Sequence, residues 1–525
     1  MRALIVGFAN HLRLSASDPE RNRLAKAMKL HFGKLTGHAN GRTNPHRLMS
    51  AAWEKDIPFM EVSDRFTQYG LGRNGICLDS TLHERESGLG VSSSRDKATS
   101  ASILRRIGLP AMHHTFARNA DHAVQIARQL KYPVVVKPSS LDGGLGVEAD
   151  LRSDEEVRQA FAKALKYTPK ILVEKWVPGR DYRMVVLNNK LVWAVERVPG
   201  GVTGDGRSTI AELVEIENRD PNRGPSPDLP MNLLEIDDEA TLVLEREGLT
   251  TQSVPQAGAF VRLRRAANVS RGGRPVAVFD KVHPDNAALA VEAANAMWLD
   301  LAGVDLILPD ITKSWRETGG VVCEVNSQPQ LGGLTSAHLF PLVLETFTRN
   351  RGAIPVCCVA GADRASALSE MIAGQLSARG AQVGLNLPDT IKVGSDRIRE
   401  GSVPILQAGN ILSWRRTIDA MVLGVWDTSV LQTGLPVPAL DLLVLSGENI
   451  PTVDDLISHM LPMLAPSARK VVVVATPDDC DPEILKVLKT EGIAHSFVTQ
   501  DDLLSLVRNI SDSYPQTPEA GAALQ

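Results

Sequence analysis

Apolar residues recur along this chain in two rhythms, and each change of rhythm marks an element. The run Tyr132 to Val136, with three β-branched residues at Val134 to Val136, predicts a strand that ends at Lys137. Pro138 stops it, because proline cannot donate to a ladder. A polar turn with Gly143, Gly144 and Gly146 follows. Upstream, SSSRDKATSASILRRIGLPAM reads as a serine-rich entry, a helix and a Gly-Leu-Pro stop. Helices are predicted at Asp121–Leu130 and Ser153–Tyr167, and a strand at Ile171–Val173. Arg183–Val186 and Leu191–Val195 form a hairpin around Asn188-Asn189. Residues 200–260 read as an ordered insertion with helices near Ile210–Asn218 and Asp238–Glu247. A helix at Asp285–Leu299 precedes strands at Gly303–Leu308 and Gly320–Val325.

From Ala353 the pattern changes. IPVCCVAG, Val383 onward, Ala420–Val425, Leu440–Leu445 and Lys470–Ala475 are continuous apolar runs, with a helix at Ala365–Arg379. Such runs fit a parallel sheet covered on both faces. Residues 1–90 read weakly as a short α/β domain: a strand at Arg2–Phe8, a helix at Glu20–Phe32, a strand and turn at Asp64–Gly72. The expected organisation is therefore α/β multidomain: residues 1–90, a catalytic domain 91–348, a second α/β domain 349–510, and a disordered tail 511–525.

Composition narrows the function. The 525 residues are 43% hydrophobic and 22% charged with net charge −4, ordinary for a globular chain of several domains. No basic stripe argues for nucleic acid. No apolar run reaches the roughly 18 residues that span a bilayer, so no membrane partner is expected. The five cysteines are few, odd in number and mostly inside apolar runs. Reduced thiols in a cytoplasmic protein are expected.

The chemistry gathers at strand ends. Glycines let backbone N–H groups approach a polyanion, and a fixed lysine adds charge. Residues 134–146 alone fit a phosphate cradle or a strand with a surface turn equally. Glu324 and Asn326 sit at i and i+2, on one face of a strand, where both can meet a cation. A neighbouring strand can bring Asp305 to them, or all three can be solvated strand ends. In ILVEKWVPGRDYR, Glu174 to Val177 can read adenine along an extended linker, with Asp181 on ribose hydroxyls, but the segment alone better fits a strand running into a polar turn. The loop at 261–273 fits equally a surface basic loop or one that sets Arg264 and Asn268 near a phosphate, where a guanidinium stabilises charge. The scattered histidines show no ligand spacing.

The order of these motifs resembles the ATP-grasp superfamily. The match is closest to cyanophycin synthetases and the bifunctional glutathione ligases, through DYR at 181–183, GDGRSTIAELVEIENRDPNRG at 204–224, LRRAANVSRGG at 263–273, VHPDN at 282–286 and GVDLILPD at 303–310. The resemblance implies that Lys97 and Lys137 bind ATP phosphates under a lid of Gly143, Gly144 and Gly146. Glu174 and Val177 would hold adenine, and Asp181 the ribose. Asp305, Glu324 and Asn326 would hold two magnesium ions, and Arg264 and Asn268 would face the transferring phosphate. The implied reaction joins a peptide or amino-acid carboxylate to an amine through an acyl phosphate.

After the ATP-grasp fold, the second domain resembles a truncated Mur-ligase central domain. The family's G-T-N-G-K-T-T becomes Gly361 with Arg364 at the second glycine, Ala365 at the lysine and Ser366 at the first hydroxyl. The acidic metal ligand aligns with Gly424. These losses resemble the second class of cyanophycin synthetases, which polymerise β-aspartyl-arginine and keep an inactive Mur-like domain. A homo-oligomer, or a partnership with a paralogous synthetase, is implied. Gly143 and Leu145 stand where the family has His and Arg, and Gln330 follows Pro329 where it has Gly.

Overall fold

The computed structural model describes residues 43–139, 146–225, 229–265, 267, 269–361, 363–447 and 456–514. The expected elements at Arg2–Phe8 and Glu20–Phe32, and Gly143, Gly144 and Asn268, lie outside them. The described chain forms two compact units, one of residues 78–343 with 43–47, the other of residues 344–514 with 48–77.

The first unit holds two antiparallel sheets. The smaller has strands β1 (Thr115–Ala117), β2 (Val134–Pro138), β3 (Glu148–Leu151) and β4 (Ile171–Lys175), in the order β1-β4-β2-β3. Helices α2 (Ala120–Leu130) and α3 (Asp154–Leu165) cover one face, and α1 (Lys97–Arg106) precedes the sheet. Asn119 and Ser153 cap α2 and α3, and three acidic residues fill the first turn of α3, where the helix dipole favours them. Val134, Val136, Ile171 and Val173 pack with Ile126, Val157 and Phe161 of these helices. Each such buried side chain contributes roughly 1.5–3 kcal/mol. Strand alternation then turns Lys137 and Glu174 to the opposite face.

The larger sheet comprises β5 (Arg180–Leu187), β6 (Lys190–Val198), β9 (Arg274–Ala277), β10 (Leu301–Leu308) and β11 (Val321–Asn326), in the order β9-β6-β5-β10-β11. Asn188 and Asn189, at φ +44° and +62°, make the β5–β6 turn. Positive φ at both central residues is what a twist-matched hairpin needs, and Asn tolerates it. Tyr182, Met184, Val186, Val304, Leu306 and Leu308 pack on helix α6 (Pro284–Ala296). The insertion has its own core: the ribbon β7 (Gly201–Thr203) and β8 (Phe260–Arg262), with α4 (Ile210–Glu217) and α5 (Asp238–Arg246).

The second unit carries a sheet around β12 (Val356–Ala360). Its neighbours β16 (Ala420–Val425) and β17 (Leu442–Leu445) run parallel to it, as the continuous apolar runs require. β13 (Val383–Asn386) extends it through β14 (Thr390–Val393) and β15 (Asp396–Glu400), β18 (Val471–Val473) and β19 (Ser496–Phe497) complete the far side, and α7 (Asp363–Ser377) follows β12. Ala365, in the first turn of α7, is fully buried in the core of this sheet. A Cβ on Gly361 would meet the Ser446 hydroxyl, and one on Gly424 would lie 1.8 Å from the Trp426 ring. Gly424→Ala should cost about 1–3 kcal/mol by forcing that ring aside, read as a lower denaturation midpoint in urea with unchanged slope.

Residues 511–514, expected in the tail, continue the second unit. Helix α8 (Gln500–Ser513) runs past residue 511, closed at its start by the Thr499/Asp502 capping box. Tyr514 donates to Asp441 at 3.0 Å. Buried Leu503 and Val507 hold the helix to the sheet core, which a local polarity pattern does not report.

Candidate nucleotide and metal site

The polar face of the larger sheet is ordered in rows by strand register. Asp305 is the cross-strand partner of both Arg183 and Glu324. Gly303 pairs with Asn326, and Ile307 with Asp181, which in turn faces Arg197. The three candidate metal ligands thus share one patch of β10 and β11. A bulge between Asp305 and Leu306 absorbs Cys323 on the β11 side. Gly303 keeps this patch open, since a Cβ there would lie 3.1 Å from the Arg183 side chain.

Two arginines neutralise Asp305. Arg183 grips it through Nε and through Nη2 at 3.1 Å, and Arg197 Nη2 donates at 2.9 Å. Arg197 also donates twice to Asp181, at 3.0 and 2.7 Å. Burial pushes the Asp305 carboxyl up, but the two guanidiniums more than offset this and hold it below the usual carboxylate range. Asp181 goes the other way: burial raises it, Arg197 opposes, and the Asp305 charge adds to the rise. Asn326 spends its amide nitrogen on the Gly303 carbonyl at 3.3 Å, so its oxygen is the atom that can serve a cation.

Each candidate phosphate lysine is matched with a carboxylate. Lys97, in the first turn of α1, lies 2.9 Å from Glu324 Oε1. Lys137, 4% exposed, lies 2.7 Å from Glu174 Oε2, and His114 Nδ1 meets the same oxygen at 2.7 Å. Burial raises the Glu174 pKa, while Lys137 and His114 lower it further, to a net value below normal. The Cys323 thiol is pushed up to about 12, chiefly by burial, with Lys137 opposing and Glu174, Glu324 and Asp181 adding. Charges of both sheets therefore act on Cys323: Lys137 and Glu174 from the smaller, and Glu324 and Asp181 from the larger.

A depressed carboxylate gives stability that is present above its unfolded pKa and lost as pH falls through its folded pKa. The Glu174 contribution should therefore be complete above about pH 4.3 and lost below it. Calorimetry from pH 7 downward should show this acid limb in the wild type and a shallower one in Glu174→Gln.

Other expected residues land differently. Gly146 has φ +69° and opens the segment leading to β3. Glu174 and Lys175 belong to strand β4 rather than to a linker, and Val177 follows in the irregular segment. Arg264 does not face the two sheets' carboxylates. It is 3% exposed, donating to Asp237 Oδ1 at 2.7 Å and to the Glu235 carbonyl at 2.8 Å. Asp237 caps α5, so this guanidinium braces the insertion. Arg183, Arg197, His114 and Cys323 were not singled out by sequence. Only the DYR motif carried a signal for Arg183.

Residues 103–202 match the family model of the D-ala D-ala ligase C-terminus, and residues 242–338 that of the RimK-like ATP-grasp domain. These matches identify ATP-grasp domains in the first unit. The first match contains Lys137, Glu174, Val177 and Asp181; the second contains Arg264, Asp305, Glu324 and Asn326. The chain is 33% identical to the cyanophycin synthetase of Trichormus variabilis over 406 residues, which is 74% of this chain and 44% of that protein. The cyanophycin synthetase of Geminocystis herdmanii is 32% identical over 77% of this chain and 48% of its own length. The bifunctional glutathione biosynthesis protein GshAB of Enterococcus faecalis is 37% identical over 39% of this chain and 27% of its own length. Among solved structures, the bifunctional glutathione synthetase of Pasteurella multocida is similar at 26% identity and a TM-score of 0.44, covering 57% of this chain and 42% of that one. The chain spans about half the length of the cyanophycin synthetases it matches. Among the described residues no helix is long and apolar enough to cross a membrane.

Proposed function

We propose that the chain is an ADP-forming carboxylate–amine ligase that joins β-aspartyl-arginine dipeptides in the manner of cyanophycin synthetases. The observation that carries this reading is the shared patch of Asp305, Glu324 and Asn326, with Lys97 paired to its Glu324 and Lys137 held by Glu174 on the smaller sheet. Oxygen donors on one strand face suit magnesium, which prefers hard ligands and shares them with phosphate. Asp305, Glu324 and Asn326 would hold it, and when bound it supplies charge neutralisation at the transferring phosphoryl group. In the reaction a substrate carboxylate oxygen attacks the γ-phosphorus and ADP departs. The amine then attacks the acyl carbon, loses a proton and expels phosphate, leaving an amide. Lys137 and Lys97 would fix the phosphates, the Glu174–Val177 segment the adenine and Asp181 the ribose. Positioning and exclusion of water from the anhydride are the protein's main contributions.

Arg183 and Arg197 give the reading a physical basis for charge balance. They neutralise Asp305 in this arrangement, and their guanidiniums are suited to phosphate as well as carboxylate. In the second unit, burial of Ala365 and the Trp426 ring against Gly424 support a domain that binds no ATP and serves assembly. Action in the cytoplasm, as a homo-oligomer or beside a paralogous synthetase, belongs to the same proposal. Purified protein given ATP, magnesium, β-aspartyl-arginine and a cyanophycin primer should release phosphate and lengthen the primer. Absence of turnover with the dipeptide and with amino-acid pairs would refute it. Gly143 and Leu145 favour a second reading, a small-peptide or different polymer product, which mass spectrometry of the product separates. A non-catalytic scaffold would show no phosphate release with any substrate.

A further inference from the structure

Outside that patch, the first unit brings together three metal-ligand side chains of mixed type. His83, Glu86 and Asp300 place their ligating atoms within 4.8 Å of one another. His83 closes the short strand Leu82–His83, Glu86 precedes the helix Gly88–Ser94, and Asp300 directly precedes β10. His83 Nε2 lies 3.1 Å from Glu86 Oε2 and 3.6 Å from Asp300 Oδ2. A tetrahedral ion with ligand bonds of about 2.0–2.1 Å spaces its ligands about 3.3 Å apart, between these two values. A hydrogen bond accounts for less: one imidazole N–H serves one carboxylate, and 3.6 Å is beyond bonding distance.

Burial and support fit the same reading. The His83 and Glu86 side chains are each 2% exposed, and Asp300 stands on the rim. Glu86 is aimed from behind, since the backbone N–H of Asp300 donates to Oε1 at 2.9 Å and that of Leu301 to Oε2 at 3.3 Å. Such outer hydrogen bonds orient ligands in metal sites. His83 and Glu86 also border a cavity of about 480 Å³, lined further by Leu82, Val91, Ser92 and Arg95, which provides a route and room for a water.

The geometry points to a transition-metal site of the zinc type at His83, Glu86 and Asp300, with a fourth position open to water. One imidazole with two carboxylates is a set that suits zinc, whereas magnesium prefers oxygen ligands alone. The ion ties the 83–86 turn to the start of β10, the strand that carries Asp305. It is thus a structural support for that strand, distinct from the magnesium ligands and independent of which substrate the chain uses.

The test uses untagged full-length protein, stripped with a chelator and titrated calorimetrically with zinc chloride in excess magnesium. One zinc should bind per chain at micromolar affinity or tighter, and raise the melting temperature by roughly 3 °C. Cobalt in its place should give the intense visible absorption of a tetrahedral site. Asp300→Asn, at a half-exposed position, and His83→Ala should each weaken zinc at least tenfold, while binding of an ATP analogue persists in Asp300→Asn. No stoichiometric zinc uptake by the wild type would overturn the inference. So would unchanged affinity in both variants, since that places the ion elsewhere.

Discussion

Lys137→Met should bind ATP at least tenfold more weakly and release phosphate roughly 100-fold more slowly. Lys137 ends a buried strand and is 4% exposed, so its ammonium is held in place rather than flexing in water. Its partner Glu174 is equally buried. Removing one member of such a pair costs roughly 3–5 kcal/mol, because the other charge stays behind without its counter-ion. His114, 2.7 Å from the same oxygen, softens but does not cancel that cost. Stability and binding are separated by the double variant Lys137→Met/Glu174→Gln. Neutralising the carboxylate should restore most of the lost melting temperature, yet leave ATP affinity low. Recovery of affinity in the double variant would mean that Lys137 acts only as the counter-ion of Glu174.

Asp305→Asn should lower phosphate release by roughly 10²–10³-fold, with no rescue by added magnesium. The substitution keeps the shape and removes the charge that Arg183 and Arg197 share. Both guanidiniums then face Asp181 alone. The imbalance should destabilise the chain by roughly 3 kcal/mol, read in urea denaturation. It should also lower the Asp181 pKa, since the Asp305 charge that raises it is gone. Activity with ordinary magnesium dependence in Asp305→Asn would remove Asp305 from the metal site and leave it a purely structural anchor.

These predictions rest on residues of unequal visibility. The β5–β6 hairpin was legible because two alternating runs flank Asn188-Asn189, and that pair tolerates the turn's positive φ. Strands β12, β16 and β17 were legible because a sheet covered on both faces demands unbroken apolar runs. His114 was not legible: its role comes from the approach of the chain just before β1 to β4, not from spacing. The Asp237 pairing of Arg264 was not legible for a related reason. Its motif order indicated phosphate, but the direction of its side chain is decided by how α5 packs on the β7–β8 ribbon.

The sequence by itself determined which chemical groups exist and in what order: two lysines, a glycine turn, the Glu174–Val177 segment and an acidic strand pair. It also determined that Ala365, not a lysine, follows Arg364. Tertiary structure alone decided which charge meets which. Register places Asp305 opposite Arg183 and Glu324, and Arg197 opposite Asp181, across strands far apart in the chain. That register follows from turn geometry and from burying one face against α6. It is a long-range packing outcome, which no local pattern encodes.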